Sequence, residues 1–288
     1  TKNISEVTKD ELISLMVGRQ VTNIFPKIDV PIGEEIFRVE SLSGKGFEDI
    51  SFSVHKGEIL GFSGLVGSGR SETMRAIFGM DKLENGKIYL EGKEIHPENP
   101  RKAIKMGISM VSEDRKVFGL MLNRPILENI SLASLEMRQP KPLIQGRRER
   151  AEVQETAKNL TVKASGLDAD AISLSGGNQQ KVVLCKWLMT EPKVLILDEP
   201  TRGVDVGAKA EIHNLMCHFA QQGMAILLIS SELPEVMGMS DRILVYHEGR
   251  INGEVLREEI LSGAATQESI LAMAFGEKNT AKQGGSAV

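Results

Sequence analysis

Three short stretches of this chain hold residue types whose spacing suits work on phosphates. Gly64 to Glu72 reads GLVGSGRSE, close to the pattern G-x-x-x-x-G-K-[ST], in which backbone N–H groups cradle phosphate oxygens. Gly64, Gly69 and Ser71 fall on the pattern, while Arg70 stands where lysine is expected. Around Gly67, Ser68 and Gly69 a nest of N–H groups, reinforced by the dipole of a following helix, can bind an anion without side-chain charge. Lysine is a compact point charge. The planar fork of Arg70 can bind phosphate but not from the same position. The Ser71 hydroxyl, next to Glu72, can ligate magnesium. A purely structural glycine turn is the competing reading of this loop taken alone.

The second stretch is VLILDEP, an apolar run ending in Asp198 and Glu199. One carboxylate at such a strand end can hold a magnesium shell, and the next can orient or deprotonate an attacking water. A solvated acidic pair is the alternative. Its strand is expected to neighbour the loop-bearing strand at the carboxyl edge of one sheet. The third stretch is LSGGNQQKV, from Leu174 through Ser175, Gly176, Gly177, Asn178 and Gln179 to Val182. A serine and two glycines before an apolar-periodic helix beginning at Lys181 form another open helix N-terminus able to hold phosphate. For Ser175 alone, an ordinary helix cap is the competing reading; the nonapeptide as a whole is the most specific string in the chain.

The elements that must position these residues are legible in the hydrophobic pattern. From Ile36 the chain alternates as strands, with Lys56-Gly57-Glu58 a turn into a buried strand Ile59 to Ser63, then the glycine loop, then a helix Ser71 to Phe78. NGKIYLEGKEI reads as a hairpin, Pro100 to Met106 as a short helix, and Gly107 to Val111 as a buried strand. Residues 125–188 look mainly helical, with a polar break at 139–145. VLILDEP and MAILLIS flank a helix from Ala208 to Gln221, which is parallel-sheet order. DRILVYHEGRINGEV reads as a hairpin before a closing helix.

With 288 residues and 41% hydrophobic content, the chain can bury a substantial core. Lys+Arg 35 against Asp+Glu 39 gives no broad basic footprint, which argues against nucleic acid as a partner. Cys185 and Cys217 lie in apolar surroundings without metal-ligand or Cys-x-x-Cys spacing, so they read as buried reduced thiols. The five histidines likewise show no ligand spacing. The apolar runs are far shorter than the roughly 20 residues of a membrane helix.

The three stretches in this order resemble the nucleotide-binding domain of ATP-binding-cassette (ABC) transporters, over about Ile36 to Gly276. GLVGSGRSE resembles the family's Walker A loop, VLILDEP its Walker B strand, LSGGNQQKV its signature, and TRGVDVGAK, with Asp205, its D-loop. VSEDRK, LSGGNQQKV and DEPTRGVDVGAK together are similar to the second domain of the tandem ATPase subunit of ribose/galactose-type sugar importers. The resemblance implies an α/β fold of the P-loop NTPase type, an ABC cassette with a RecA-like core, an antiparallel β subdomain and a helical subdomain at about 114–180. It implies ATP and Mg2+ as cofactors, with Ser71 and Asp198 holding the metal and Glu199 catalytic. The partners it implies are an N-terminal cassette of the same polypeptide, integral-membrane permease subunits near residues 113–130, and, indirectly, a periplasmic or extracellular sugar-binding protein. The expected location is peripheral, on the cytoplasmic face of the membrane.

Residues 8–18 parallel residues 266–276: in each a threonine precedes an acidic turn, apolar residues follow, and a glycine closes the run. Two ordinary capped helices would look the same. The tandem reading makes residues 1–20 the end of a preceding cassette, 21–33 a linker, 34–277 the nucleotide-binding domain and 278–288 a disordered tail. Three departures from the family pattern converge on one site. Arg70 replaces the Walker A lysine, Glu113 stands at the Q-loop glutamine, and Ser231 stands at the switch histidine. The implied function is the degenerate half of a clasped pair, weak or inactive alone, lending its signature to the partner's ATP site. A regulatory cassette without turnover and a non-transport ABC ATPase are the alternatives. Phe47 is set between adenine stacking and strand burial, and Arg147, Arg148 and Arg150 between a permease contact and an ion-paired helix face.

Overall fold

A computed structural model describes residues 25–138 and 145–277. The parallel between head and tail, the tail 278–288, and most of the polar break at 139–145 fall outside the described residues. Two sheets organise the rest. The first is antiparallel, ordered β2-β1-β4-β5, from β1 (Glu35–Gly44), β2 (Phe47–His55), β4 (Leu83–Leu90) and β5 (Lys93–Ile95). The second is ordered β10-β9-β3-β8-β7-β6, from β3 (Ile59–Gly64), β6 (Ile108–Val111), β7 (Val194–Asp198), β8 (Ala225–Ile229), β9 (Arg242–His247) and β10 (Arg250–Leu256). It is parallel except for β10, which runs antiparallel to β9.

The central strands are apolar on both faces because both are covered. Along β7, Val194 and Ile196 enter a core shared with the antiparallel sheet, while Leu195 and Leu197 enter one built on the large helices. β8 divides the same way, with Leu227 and Ile229 on the first side and Ile226 and Leu228 on the second. Helix α1 (Arg70–Ile77) packs in the first core, α6 (Gly176–Leu188) and α7 (Val206–Gln221) in the second.

Helix α2 (Pro100–Met106) matches its sequence expectation because each end is chemically marked. Asn99 caps the Lys102 N–H, proline opens the helix, and Gly107 closes it in the left-handed conformation. The 125–188 region is less helical than its composition suggests. Helices α3 (Ile126–Ser131), α4 (Leu135–Arg138) and α5 (Gly146–Asn159) precede a stretch whose one helical turn is Ala171–Ser173. Helix α6 starts at Gly176, five residues before Lys181, since the two glycines are its first turn. After β10 come two helices where one was expected, α9 (Arg257–Leu261) and α10 (Gln267–Ala274), with α8 (Leu233–Met239) following β8.

Residues 25–33 lie against this body. The Phe25 ring is 5.4 Å from that of His213, and the Gly33 N–H donates to Lys56 O at 2.9 Å. The buried Lys27 ammonium pairs with Asp241 at 2.8 Å. No described helix is long and apolar enough to cross a membrane.

Candidate functional site

The carboxyl ends of β3, β6, β7 and β8 bring the candidate residues to one edge of the sheet, where open α/β sheets place their ligands. β7 does not neighbour β3: β8 lies between them, so the site spans four adjacent strands from β3 to β6. The glycine loop follows β3 directly. Gly69 is the N-cap of α1 at φ 97°, and a Cβ there would meet Gly46 O at 2.5 Å, so only glycine fits. With no side-chain cap, the first-turn N–H groups of α1 stay open to an anion. Val66 at the loop tip is 92% exposed. Gly64, Gly67 and Ser68 form the rest of the loop, and the Glu72 carboxylate lies 3.4 Å from Arg75 in the same helix.

The Arg70 guanidinium is buried: Nη1 donates to Ser230 O at 3.1 Å and Phe62 O at 3.4 Å, beside the ends of β8 and β3, and Nη2 to Leu65 O, within the loop, at 3.4 Å. Burial pulls it below the usual arginine range, with Glu199 and Asp198 opposing that shift. The fork ties the ends of β3 and β8 together.

Across the site, the Ser71 hydroxyl donates to Asp198 Oδ1 at 3.2 Å. Burial raises the Asp198 carboxyl to about 6, against the hydrogen bond from Ser71. Among the described residues no ion pair reaches Asp198, and its buried carboxylate stands beside the Ser71 hydroxyl. Those are hard oxygen donors of the kind Mg2+ takes.

Glu199 turns the chain sharply at φ 50°, a conformation non-glycine residues seldom adopt, and its N–H donates to Ile229 O at 2.9 Å. Its Oε1 accepts the Ser231 N–H at 2.6 Å and its Oε2 the Ser231 hydroxyl at 3.1 Å. Burial raises this carboxyl too, and both Ser231 bonds oppose the shift. Glu113, after β6, ion-pairs with Arg202. Beneath the acidic turn, Glu235 accepts from the Thr201 hydroxyl at 2.8 Å and lies 2.6 Å from His213 Nε2, all three buried.

The signature-like segment stands apart from the glycine loop. Leu174 precedes Ser175, the exposed N-cap of α6, whose hydroxyl accepts from Asn178 Nδ2 at 3.0 Å and not from a backbone N–H. The helix therefore keeps an uncapped N-terminus. Asn178 also accepts from the Lys163 N–H at 2.7 Å, and Gln179 Nε2 donates to Ala171 O at 3.2 Å. Gly176 and Gly177 permit close packing, since a Cβ on Gly177 would lie 2.5 Å from that of Ala208. Asp205 caps α7 by accepting the Ala208 N–H at 2.9 Å. Lys181 is buried and paired with Glu211 at 2.6 Å.

Phe47 is buried in the first core, which favours strand packing over stacking. Arg148 pairs with Glu152 at 2.9 Å and Arg150 with Asp168 at 2.5 Å, an ion-laced face. Val117 and Phe118, within 113–130, are both two-thirds exposed at 66%. Cys185 and Cys217 are free and buried. Sequence reasoning missed Arg115, Thr201, His213 and Glu235. Their partners sit 22 to 88 positions away; Arg115 and Thr201 fall inside the quoted strings VSEDRK and TRGVDVGAK without a role of their own being read, and no quoted string marked His213 or Glu235.

The family model described as ABC transporter matches residues 47–202. The chain is 51% identical over 277 residues to the ribose import ATP-binding protein RbsA of Bacillus subtilis, covering 96% of this chain and 55% of that protein. It is 51% identical over 273 residues to a putative ribose/galactose/methyl galactoside import ATP-binding protein of Rhizobium etli, covering 94% and 51%. The chain thus spans about half the length of these curated relatives. Among solved structures, an ATP-binding cassette of an ABC transporter in its ADP conformation superposes with a TM-score of 0.69 at 27% identity, over 85% of this chain and 100% of that one. A nucleotide-free cassette gives 0.70 at 27% identity, with the same coverage.

Proposed function

The chain belongs to the ABC transporter family, and from that premise we propose that it is the ATP-binding module of a ribose-type sugar importer and the degenerate half of a tandem pair. The observation that carries the degenerate reading is the engagement of Arg70. Its Nη1 and Nη2 donate to the carbonyl oxygens of Phe62, Ser230 and Leu65, so the donors expected on the terminal phosphates are committed to the protein backbone. Glu113 is held by Arg202, and Ser231 grips both oxygens of Glu199. Each of these arrangements weakens a different contact of the same site.

In this reading Gly64, Gly67, Ser68, Gly69 and the N-terminus of α1 hold the phosphates, and Glu199 orients the attacking water. Ser71 and Asp198 would hold Mg2+, which supplies positive charge against the β- and γ-phosphate oxygens. Ser175, Gly176, Gly177 and Asp205 face the N-terminal cassette of the same polypeptide and complete its ATP site. ATP clamps the pair and hydrolysis releases it, driving a permease at the cytoplasmic face of the membrane. The names and identities of the relatives support the sugar class. Residues 1–20 would close the preceding cassette and 21–33 link the two. The grip of Ser231 on Glu199 also favours a second reading, a cassette that binds nucleotide and regulates without turnover.

Calorimetric titration of the chain with Mg-ATP, beside Arg70→Lys, tests this reading. Weak binding that lysine strengthens without producing turnover supports it. Tight binding with steady phosphate release by the unmodified chain would overturn it. Turnover in the intact subunit that collapses with Ser175→Ala separates energy coupling from pure regulation.

A further inference from the structure

We propose that Arg115 is a positioning residue that locks the segment before Asp205 against the N-terminus of α6, holding in register the surface that completes the partner cassette's site. This deepens the function proposed above and rests on it. Arg115 opens a π-helical turn, Arg115–Gly119. The turn is fastened at both ends. Asp114 accepts the N–H groups of Lys116 at 2.8 Å and Val117 at 3.1 Å, and the buried Lys186 ammonium donates to Gly119 O. From this base Nη1 reaches Arg202 O at 2.6 Å and Nη2 reaches Gly203 O at 3.0 Å. A Cβ built on Gly176 would stand 2.9 Å from Nη2 and 3.0 Å from Gly203 O, so three segments meet at one guanidinium.

Local stability alone does not account for the arrangement. A cation beside a helix N-terminus opposes the helix dipole. Burial pulls the Arg115 guanidinium below its usual range, and the neighbouring Asp114 only opposes that shift. What the fork supplies is register: it is planar and presents two separate nitrogens, in fixed geometry, to two consecutive carbonyls, whereas a lysine has a single nitrogen on a flexible stem. Beyond Gly203, the Asp205 cap and the contact of Gly177 with Ala208 continue the same unit. Arg115 therefore acts through Gly176 and Gly203. A displacement of about 1 Å at such a surface is enough to slow a reaction on the order of a hundredfold.

The test is steady-state ATP turnover by the intact transport subunit carrying Arg115→Ala, Arg115→Lys or Ser175→Ala, with the thermal midpoint of each variant. The expected result is a kcat at least roughly tenfold lower for Arg115→Ala, with KM for ATP within about twofold and an unchanged midpoint. Arg115→Lys, which keeps the charge but not the fixed two-nitrogen fork, should fall between alanine and the parent. A lysine variant with parental kcat would overturn the two-carbonyl clamp, and it keeps the idea testable if the alanine variant does not fold. Parental kcat in Arg115→Ala beside collapse in Ser175→Ala would overturn the role of Arg115 and leave the proposed function standing. Parental kcat in both would overturn the proposed function and this inference with it.

Discussion

Ser231 holds Glu199 by two different groups at once, its backbone N–H at 2.6 Å and its hydroxyl at 3.1 Å. The backbone bond survives any substitution other than proline, whereas the hydroxyl bond is removable. The pair therefore separates what the fold imposes from what the serine adds.

Ser231→Ala should raise the Glu199 carboxyl further above the usual carboxylate range. The lost hydroxyl bond favours the ionised form, and burial, the larger influence, already disfavours it. The site is partly open to solvent, so the stability loss should be about 1 kcal/mol. Carboxyl chemical-shift titration of Glu199 in both proteins checks this. An unmoved midpoint would show that the hydroxyl bond does not form in solution.

Asp241→Ala should be among the costlier single changes in the domain. The Asp241 carboxylate pairs with Lys27, whose side chain is 2% exposed, and its Oδ2 accepts the Ile59 N–H at 2.8 Å. Alanine leaves a buried ammonium without its counter-charge and the first N–H of β3 without its acceptor. Breaking one side of such a pair costs about 3–5 kcal/mol. Lys27→Met, which removes the charge and keeps the apolar stem, should cost clearly less. Urea denaturation of the two variants ranks them, and the reverse order would show that the ion pair is not what holds residues 25–33 down.

Lys186 gives stability a slope in alkali. Burial pushes its ammonium down to about 8 in the folded chain, whereas an unfolded lysine keeps its proton to about 10.4. Between those values the unfolded state binds more protons, so this residue's contribution to stability rises with pH through the window. Below about 8 both states are protonated and the slope vanishes. Lys186→Met should remove it. The check is the stability gained between pH 7.5 and 9.5, larger in the parent than in the variant.

The sequence carried the backbone of the site better than its side-chain directions. The strand, glycine loop and helix from Ile59 to Ile77 and helix α2 were legible because turn and cap residues act locally, within four positions. The order of strands was less so. That β8 separates β3 from β7 is a long-range pairing that carries no local signal in either strand. Arg70 could be seen to be wrong for a lysine's place, but its turn toward Ser230 depends on a carbonyl 160 residues away. The pairs of Glu113 with Arg202 and of Arg115 with Gly203, separated by 89 and 88 positions, carry no periodic signal.

Two glycines with different reasons for being glycine should respond differently to alanine. Gly67 has φ 79° and nothing within 4 Å of a built Cβ, so its penalty is backbone strain alone, about 1–2 kcal/mol. Gly177 lies inside α6 without a left-handed φ, and its penalty is the 2.5 Å approach to Ala208, about 1–3 kcal/mol of overpacking. Ala208→Gly should therefore rescue Gly177→Ala and leave Gly67→Ala untouched. The rescue is incomplete, because glycine inside α7 itself costs roughly 0.5–1 kcal/mol. A double-mutant cycle read by chemical denaturation gives the coupling directly. A coupling near zero would mean that α6 and α7 move apart freely, and that the signature segment and the Asp205 cap are not one unit.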